Sequence, residues 1–369
     1  MVGAQRSDQA TARTNNPVRR LSRRAYLKYT VGLASAAVAV AAGYYYARYL
    51  ATSRATTERP PASQPLSPVH SLIVEPDDGR TVILTALQEA KRSIDLTIYE
   101  LNDPEVHAAL VSAHERGVRV RVLYNYYSFI SQGRNPNESA VNSLNSAGIQ
   151  TKPASSSFLD THQKTFVIDS SEAIIMTFNL QPNYFQGTRD FGIITTNPAE
   201  IAEIQRVFEA DWNYQPATVT QPMLVWSPVN SRQKIFSLIS DATKTLEVYN
   251  EEIQDEACIQ ALISAAGRGV AVRFISAQLM QEGRDANAPG RQTLNDGGVD
   301  ARPGTSLYIH AKMILADYGT SDQVVFVGSE NLSDASLDKN RELGILVEDK
   351  TILDRLNTVF EQDWAEQSQ

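Results

Sequence analysis

His162-Gln163-Lys164-Thr165-Phe166-Val167-Ile168-Asp169 and His310-Ala311-Lys312-Met313-Ile314-Leu315-Ala316-Asp317 share one pattern, H-x-K-x4-D. The chain has five histidines. If Lys and Asp each fill roughly 6% of positions, two chance matches arise on the order of once in ten thousand chains. An imidazole can serve as nucleophile, base or acid, and an ammonium close by can offset anionic charge. Residues two apart on a strand share a face. His162 and Lys164 are therefore expected to point together from a strand, with Gln163 turned away. Asp169 and Asp317 complete the motif and join the candidate catalytic set. Asp169 ends its run on the opposite parity, so it reads as a support for the turn.

A second segment follows each motif. Met176-Thr177-Phe178-Asn179 is followed by Asp190, eleven residues after its Asn. Gly328-Ser329-Glu330-Asn331 is followed by Glu342 at the same distance. Each motif thus has a hydroxyl, an amide and a carboxylate near it in sequence.

These segments belong to a repeat with an offset of 152 residues. Tyr99-Glu100-Leu101-Asn102-Asp103 parallels Glu251-Glu252-Ile253-Gln254-Asp255. Arg116-Gly117-Val118-Arg119-Val120-Arg121 parallels Arg268-Gly269-Val270-Ala271-Val272-Arg273. Phe208-Glu209-Ala210-Asp211-Trp212 parallels Phe360-Glu361-Gln362-Asp363-Trp364. So long a period means duplicated domains, not a solenoid. Alternating apolar residues predict strands at 93–99 and 118–124, and helical spacing predicts a helix at 105–116 with Gly117 as its stop. The order recurs at 245–249, 257–268 and 270–276. Such alternation predicts α/β domains with a mostly parallel sheet. The expected domains are 69–218 and 219–369, joined by a proline-bearing connector at 214–222.

On these residues the sequence resembles the phospholipase D superfamily, from about Val69 to Trp364. That family's signature is H-x-K-x4-D, then G-S-x-N, then a downstream acid. The second copy fits fully. The first has Met176 and Thr177 where Gly and Ser are usual, and Met176 adds bulk where the backbone would approach substrate. The resemblance implies two α/β domains packed with pseudo-two-fold symmetry around one active site. It implies that one neutral histidine attacks phosphorus while the other, protonated, donates to the leaving alkoxide. By resemblance His162 is the nucleophile and His310 the acid. Lys164, Lys312, Asn179 and Asn331 would hold the phosphate, with Thr177 and Ser329 as lesser donors. Asp190 and Glu342 would orient the imidazoles. No metal or other cofactor is called for. Tyr184 and Phe185 read either as an apolar rim for acyl or glycerol groups or as core.

Composition narrows the partners. The formal net charge is −8. The stretch up to Glu58 carries nine Lys/Arg and two acids, which leaves 25 basic and 40 acidic residues in the rest. A body this acidic disfavours nucleic acid, which needs a basic face, although net charge does not describe a cleft. The single cysteine, Cys258, excludes an intrachain disulfide and reads as a buried thiol.

Ser22-Arg23-Arg24-Ala25-Tyr26-Leu27-Lys28 resembles the twin-arginine export signal, with Tyr26 where Phe is usual. The alternative is an ordinary signal anchor whose arginines set orientation. The expected plan is a basic cytoplasmic segment at 1–29, a transmembrane or signal helix at 30–50 and a Pro/Ser-rich linker at 51–68. The body would then lie outside the cytoplasm, anchored, or released if the signal is cleaved. Together these readings lead to a monomeric enzyme that hydrolyses phospholipid head-group esters beside the membrane. Alternatives are an extracellular nuclease, a phosphatidyltransferase of the cardiolipin synthase kind, and a binding module without catalysis.

Overall fold

The computed structural model describes residues 69–367. The expected basic segment, apolar helix and linker lie outside the described residues. Among the described residues no helix is long and apolar enough to cross a membrane.

The first half runs β1 (His70–Glu75), α1 (Thr81–Glu89), β2 (Ser93–Ile98), α2 (Pro104–Glu115), β3 (Arg119–Tyr124), α3 (Tyr127–Ser131), α4 (Glu138–Ser146), β4 (Gln150–Pro153), β5 (Thr165–Ile168), β6 (Glu172–Met176), β7 (Thr188–Thr195) and α5 (Pro198–Trp212). The second repeats the plan as β8 (Leu224–Ser227), α6 (Ser231–Asp241), β9 (Thr245–Asn250), α7 (Glu256–Gly267), β10 (Ala271–Ser276), β11 (Met280–Gln281), β12 (Arg284–Asp285), α8 (Ala288–Asp296), β13 (Asp300–Pro303), β14 (Tyr308–Ile309), β15 (Lys312–Ala316), β16 (Val324–Gly328), α9 (Asp334–Asp338), β17 (Glu342–Val347) and α10 (Lys350–Glu366). The aspartates of the repeat signature explain where α2 and α7 begin. Asp103 accepts the Glu105 and Val106 amides, and Asp255 accepts the Cys258 amide. Each cap stabilises its helix by about 1 kcal/mol. Cys258 is buried in α7.

Each half builds one main sheet, in the orders β1-β7-β6-β5-β2-β3-β4 and β13-β10-β9-β15-β16-β17-β8. The expectation of mostly parallel sheets is corrected. Only β2, β3 and β4, and their counterparts β9, β10 and β13, run parallel within these orders. The rest are antiparallel. The three residues between β5 and β6 leave room for a hairpin and none for a crossover helix.

The strands of the first sheet are buried on both faces. Phe166 and Ile168 of β5 join Ile94, Leu96 and Ile98 in a core under α1, α2 and α4. Val167, pointing the other way, joins Val74, Ile175 and Phe191 in a core shared with Trp226, Tyr249, Met313, Val327 and Ile345 of the second half. The halves therefore pack sheet against sheet.

Two buried ion pairs cross this interface reciprocally. Arg189 Nε and Nη2 donate to Asp363 at 2.7 and 2.9 Å. Arg341 Nη2 donates to Asp211 at 2.9 Å. Asp211 and Asp363 are repeat-equivalent, which explains their place in the signature. Removing one partner strands a buried charge. Asp363→Ala should cost about 3–5 kcal/mol by chemical denaturation, and replacing Arg189 by Met as well should recover much of it. An unchanged Asp363→Ala midpoint would contradict this account of the interface.

Candidate active site

Each motif histidine sits where its strand leaves the sheet to touch the other half. The His162 and Gln163 amides both donate to Arg341 O, at 2.9 and 3.0 Å. The His310 and Ala311 amides both donate to Arg189 O, at 3.2 and 2.9 Å. Two consecutive residues facing one carbonyl form a bulge-like contact, which re-aims side chains. His162 and Lys164 therefore precede β5 and do not lie within a regular strand, a correction to the strand reading.

The imidazoles then meet acids from the opposite copy. His162 Nδ1 lies 2.8 Å from Glu342 Oε2, and His310 Nδ1 lies 2.8 Å from Asp190 Oδ1. Each pairing leaves Nε2 as the other ring nitrogen. The two lysines are fully buried. Lys164 Nζ reaches His162 O and Lys312 Nζ reaches His310 O. Lys164 also lies 5.0 Å from the Tyr99 ring centroid.

A supporting layer holds the acids. Asp190 accepts from the Thr177 and Thr188 hydroxyls, each at 2.6 Å. Glu342 accepts from Ser336 and from Asn340 Nδ2, the latter at 3.1 Å. Thr177 thus serves Asp190. Ser329 receives the Leu343 amide at 3.2 Å. Both hydroxyls are buried in these contacts, which corrects their reading as substrate donors. Asn179 Oδ1 accepts the Glu100 amide at 3.3 Å, and Asn331 Nδ2 reaches Glu251 at 3.4 Å.

Met176 is buried in the first-half core and does not crowd a substrate. Its counterpart Gly328 makes room for Glu330: a Cβ there would meet Glu330 Oε2 at 2.4 Å. Burial, then Glu342, raise the Glu330 carboxyl well above its ordinary range.

Asp169 and Asp317 stand apart from the imidazole cluster and leave the candidate catalytic set. Asp169 accepts the amides of Lys91, Arg92 and Ser93 at 2.6–2.8 Å. Asp317 accepts those of Thr243, Lys244 and Thr245 at 2.6–3.1 Å. Both have positive φ, 55° and 54°, a conformation Asp tolerates better than most residues. They tie the far end of β5 and β15 to the start of the neighbouring strand.

Residues 83–212 and 235–364 each match the family described as "Cardiolipin synthase, PLD-like domain". The chain belongs to the phospholipase D-like family. It is 27% identical over 199 residues to the mitochondrial cardiolipin hydrolase of Xenopus laevis, covering 52% of this chain and 92% of that one. It is 24% identical over 325 residues to cardiolipin synthase B of Salmonella typhi, covering 76% of each. Among solved structures, phosphatidylserine synthase of Haemophilus influenzae superposes with a TM-score of 0.61 at 12% identity, over 81% of this chain and 86% of that one. Polyphosphate kinase of Porphyromonas gingivalis gives 0.63 at 17% identity, and the match spans 84% of this chain and about half, 54%, of that enzyme. These structural likenesses concern the fold. Membership brings phosphodiesterase-type chemistry.

Within this phospholipase D-like site, two contributors, Glu251 and Tyr308, were not picked out from the sequence. Glu251 lies among the second-copy donors, with Oε2 2.8 Å from Lys312 Nζ. Tyr308 donates to Glu251 Oε1 at 2.9 Å. Tyr184, left open between rim and core, packs against His310 with centroids 4.6 Å apart. Phe185 is core. Asn183, Tyr184, Gly187, Thr188 and Tyr308 line a pocket of about 300 Å³. The sequence did signal Glu251: it replaces Tyr99 at a matched strand end.

Charge is distributed unequally. Burial lowers the His162 pKa, and Lys164 lowers it further against the pull of Glu342. Burial, with Lys312, brings Lys164 down to about 7. Glu342 resists the upward push of burial because His162 and Lys164 hold it below its ordinary value. Glu342→Gln should therefore weaken proton binding at His162 by about tenfold, read by an NMR titration of its ring protons. An unchanged titration would break the inter-copy pairing.

Proposed function

We propose that the chain hydrolyses phospholipid head-group esters through a phosphohistidine on His162, with His310 as the acid. The crossed imidazole–carboxylate pairs are the observation that carries this reading. They draw the motifs of both copies into one cluster and reserve each Nε2 for reaction. His162 Nε2 attacks phosphorus, and the leaving alkoxide takes a proton from His310 Nε2. Water then attacks the phosphohistidine, His310 accepts its proton, and the P–N bond breaks. Lys164, Lys312, Asn179 and Asn331 stabilise the charge on the nonbridging oxygens. The lowered pKa of His162 favours the neutral ring that a nucleophile needs.

Several exposed apolar residues support a lipid substrate. Tyr127 and Ile130 lie on α3, whose neighbour Asn125 accepts the Thr161 amide on its side-chain Oδ1, next to His162. Leu159, Met280 and Tyr308 are also exposed. Leu159 precedes the first motif, Met280 follows β10, and Tyr308 touches Glu251. Anchored by its 30–50 segment, the body would work at the outer membrane face. Phosphatidyl transfer is the second reading, favoured by the match to cardiolipin synthase B over 76% of each chain.

Mass spectrometry of products from cardiolipin and phosphatidylglycerol vesicles, with and without glycerol, and from plasmid DNA separates these readings. Free head group and a phosphatidate support hydrolysis; a new glycerol ester supports transfer; cleaved DNA without lipid turnover overturns both. His162→Ala and His310→Ala should each lower turnover by at least about 10³-fold.

The pH profile follows from the charges. Lys164 must be protonated to hold a phosphate, so kcat/KM should fall as pH rises through about 7. On the acid side His162 must lose its proton. Because its pKa is lowered, that limb should lie below the ordinary histidine range. A rate that keeps rising from pH 7 to 9 would refute the role of Lys164.

A further inference from the structure

The half-sites differ at one repeat-equivalent position. Tyr99 follows β2, and Glu251 follows β9. Tyr99 packs on His162, with ring centroids 4.7 Å apart. Glu251 instead places a carboxylate among the donors of the second copy. Its Oε2 lies 2.8 Å from Lys312 Nζ, 3.5 Å from His310 Nε2 and 3.4 Å from Asn331 Nδ2. Its Oε1 accepts from the Tyr308 hydroxyl at 2.9 Å. An ammonium, an imidazole Nε2 and an amide converging on one oxygen form the donor set that a nonbridging phosphate oxygen needs. Burial opposes ionisation of Glu251, but Lys312 and His310 outweigh it and hold the carboxyl well below its usual range.

We propose that Glu251 is a resident counter-anion of the second half-site, which the substrate phosphate must displace. It thereby sets the affinity of the site for phosphate and its preference among phosphate charge states. This rests on the phosphodiester reading. A diester carries one negative charge, as the carboxylate does, so the exchange leaves the charge beside Lys312 and His310 unchanged. A monoester at neutral pH carries about −1.5 to −2. It cannot be exchanged at constant charge, and the displaced carboxylate repels it. The return of Glu251 to Lys312 would then help expel a monoester product. The side chain has somewhere to move: it is 15% exposed, and Tyr308, which holds it, is 39% exposed and lines the neighbouring pocket.

Calorimetric titration of the full-length chain in non-ionic detergent tests this, with inorganic phosphate and dimethyl phosphate as probes. Glu251→Gln keeps the shape and removes the charge. It should bind inorganic phosphate at least about tenfold tighter, with a smaller gain for dimethyl phosphate. Tyr308→Phe removes one hold on the carboxylate from an exposed position. It should tighten phosphate binding about two- to fivefold, and it decides the matter if Glu251→Gln does not fold. Equal or weaker phosphate binding in the folded variants overturns the proposal. On a diester substrate, Glu251→Gln should show a lower KM and stronger inhibition by monoester product. If the wild type turns over a diester and phosphate affinity ignores Glu251, the counter-anion idea alone falls. If phosphate binding tightens but no diester is cleaved, the phosphodiester reading falls and the anion competition stands.

Discussion

Neither half of this protein can complete its own histidine. Glu342 reaches His162 and Asp190 reaches His310, each across the interface at 2.8 Å. All four groups are largely buried. A buried carboxylate without its partner is costly, so each half needs the other before its acid is stable. The same reciprocity governs Arg189 with Asp363 and Arg341 with Asp211. Backbone contacts repeat it again, as Arg341 O holds the first motif and Arg189 O the second. Side chain, backbone and ion pair thus converge on one short segment per copy, Thr188–Asp190 and Asn340–Glu342. That segment sets the distance between the halves and aims both imidazoles.

Duplication supplied the frame, and drift at a few positions made its halves unlike. Thr177 supports Asp190, whereas Ser336 and Asn340 support Glu342. Phe178 fills core where Glu330 buries a carboxyl whose pKa burial raises. Tyr99 faces Lys164 where Glu251 faces Lys312. The last difference matters most for chemistry. An ammonium over a ring face gains only a partial compensation, and Lys164 is brought down to about 7. Lys312 has a full anionic partner. One frame therefore gives its two lysines different partners, a ring face for Lys164 and a carboxylate for Lys312.

Much of this was legible in the sequence because it depends on local rules. The offset of 152, the paired motifs and the strand–helix alternation all survived into the structure, and the 93–99 strand appears as Ser93–Ile98. What failed depended on the third dimension. Apolar alternation does not report strand direction, so the antiparallel hairpins from β5 to β7 were missed. Parity placed His162 and Lys164 on a strand, but Arg341, 179 residues from His162, pulls that backbone out of the sheet. Thr177 and Ser329 looked like substrate donors until their partners, Asp190 and the Leu343 amide, were seen. Asp190 and Glu342 were picked out by spacing, yet nothing in the spacing says that each serves the other copy's histidine.

The acidity of the body and the need to hold an anion are reconciled at this cluster. Two lysines, Lys164 and Lys312, share the cluster with three carboxyl groups, Asp190, Glu342 and Glu251. A negatively charged ligand gains from such a set only when an imidazole carries a proton or a carboxylate withdraws. Asp190 and Glu342 cannot withdraw, because hydroxyls, an amide and the histidines hold them from several sides. Glu251 is fixed from the pocket side by one exposed tyrosine. On the proposal that a phosphate displaces Glu251, the acid that yields is therefore the one facing Lys312 and His310, while the two that pair with the histidine Nδ1 atoms stay in place.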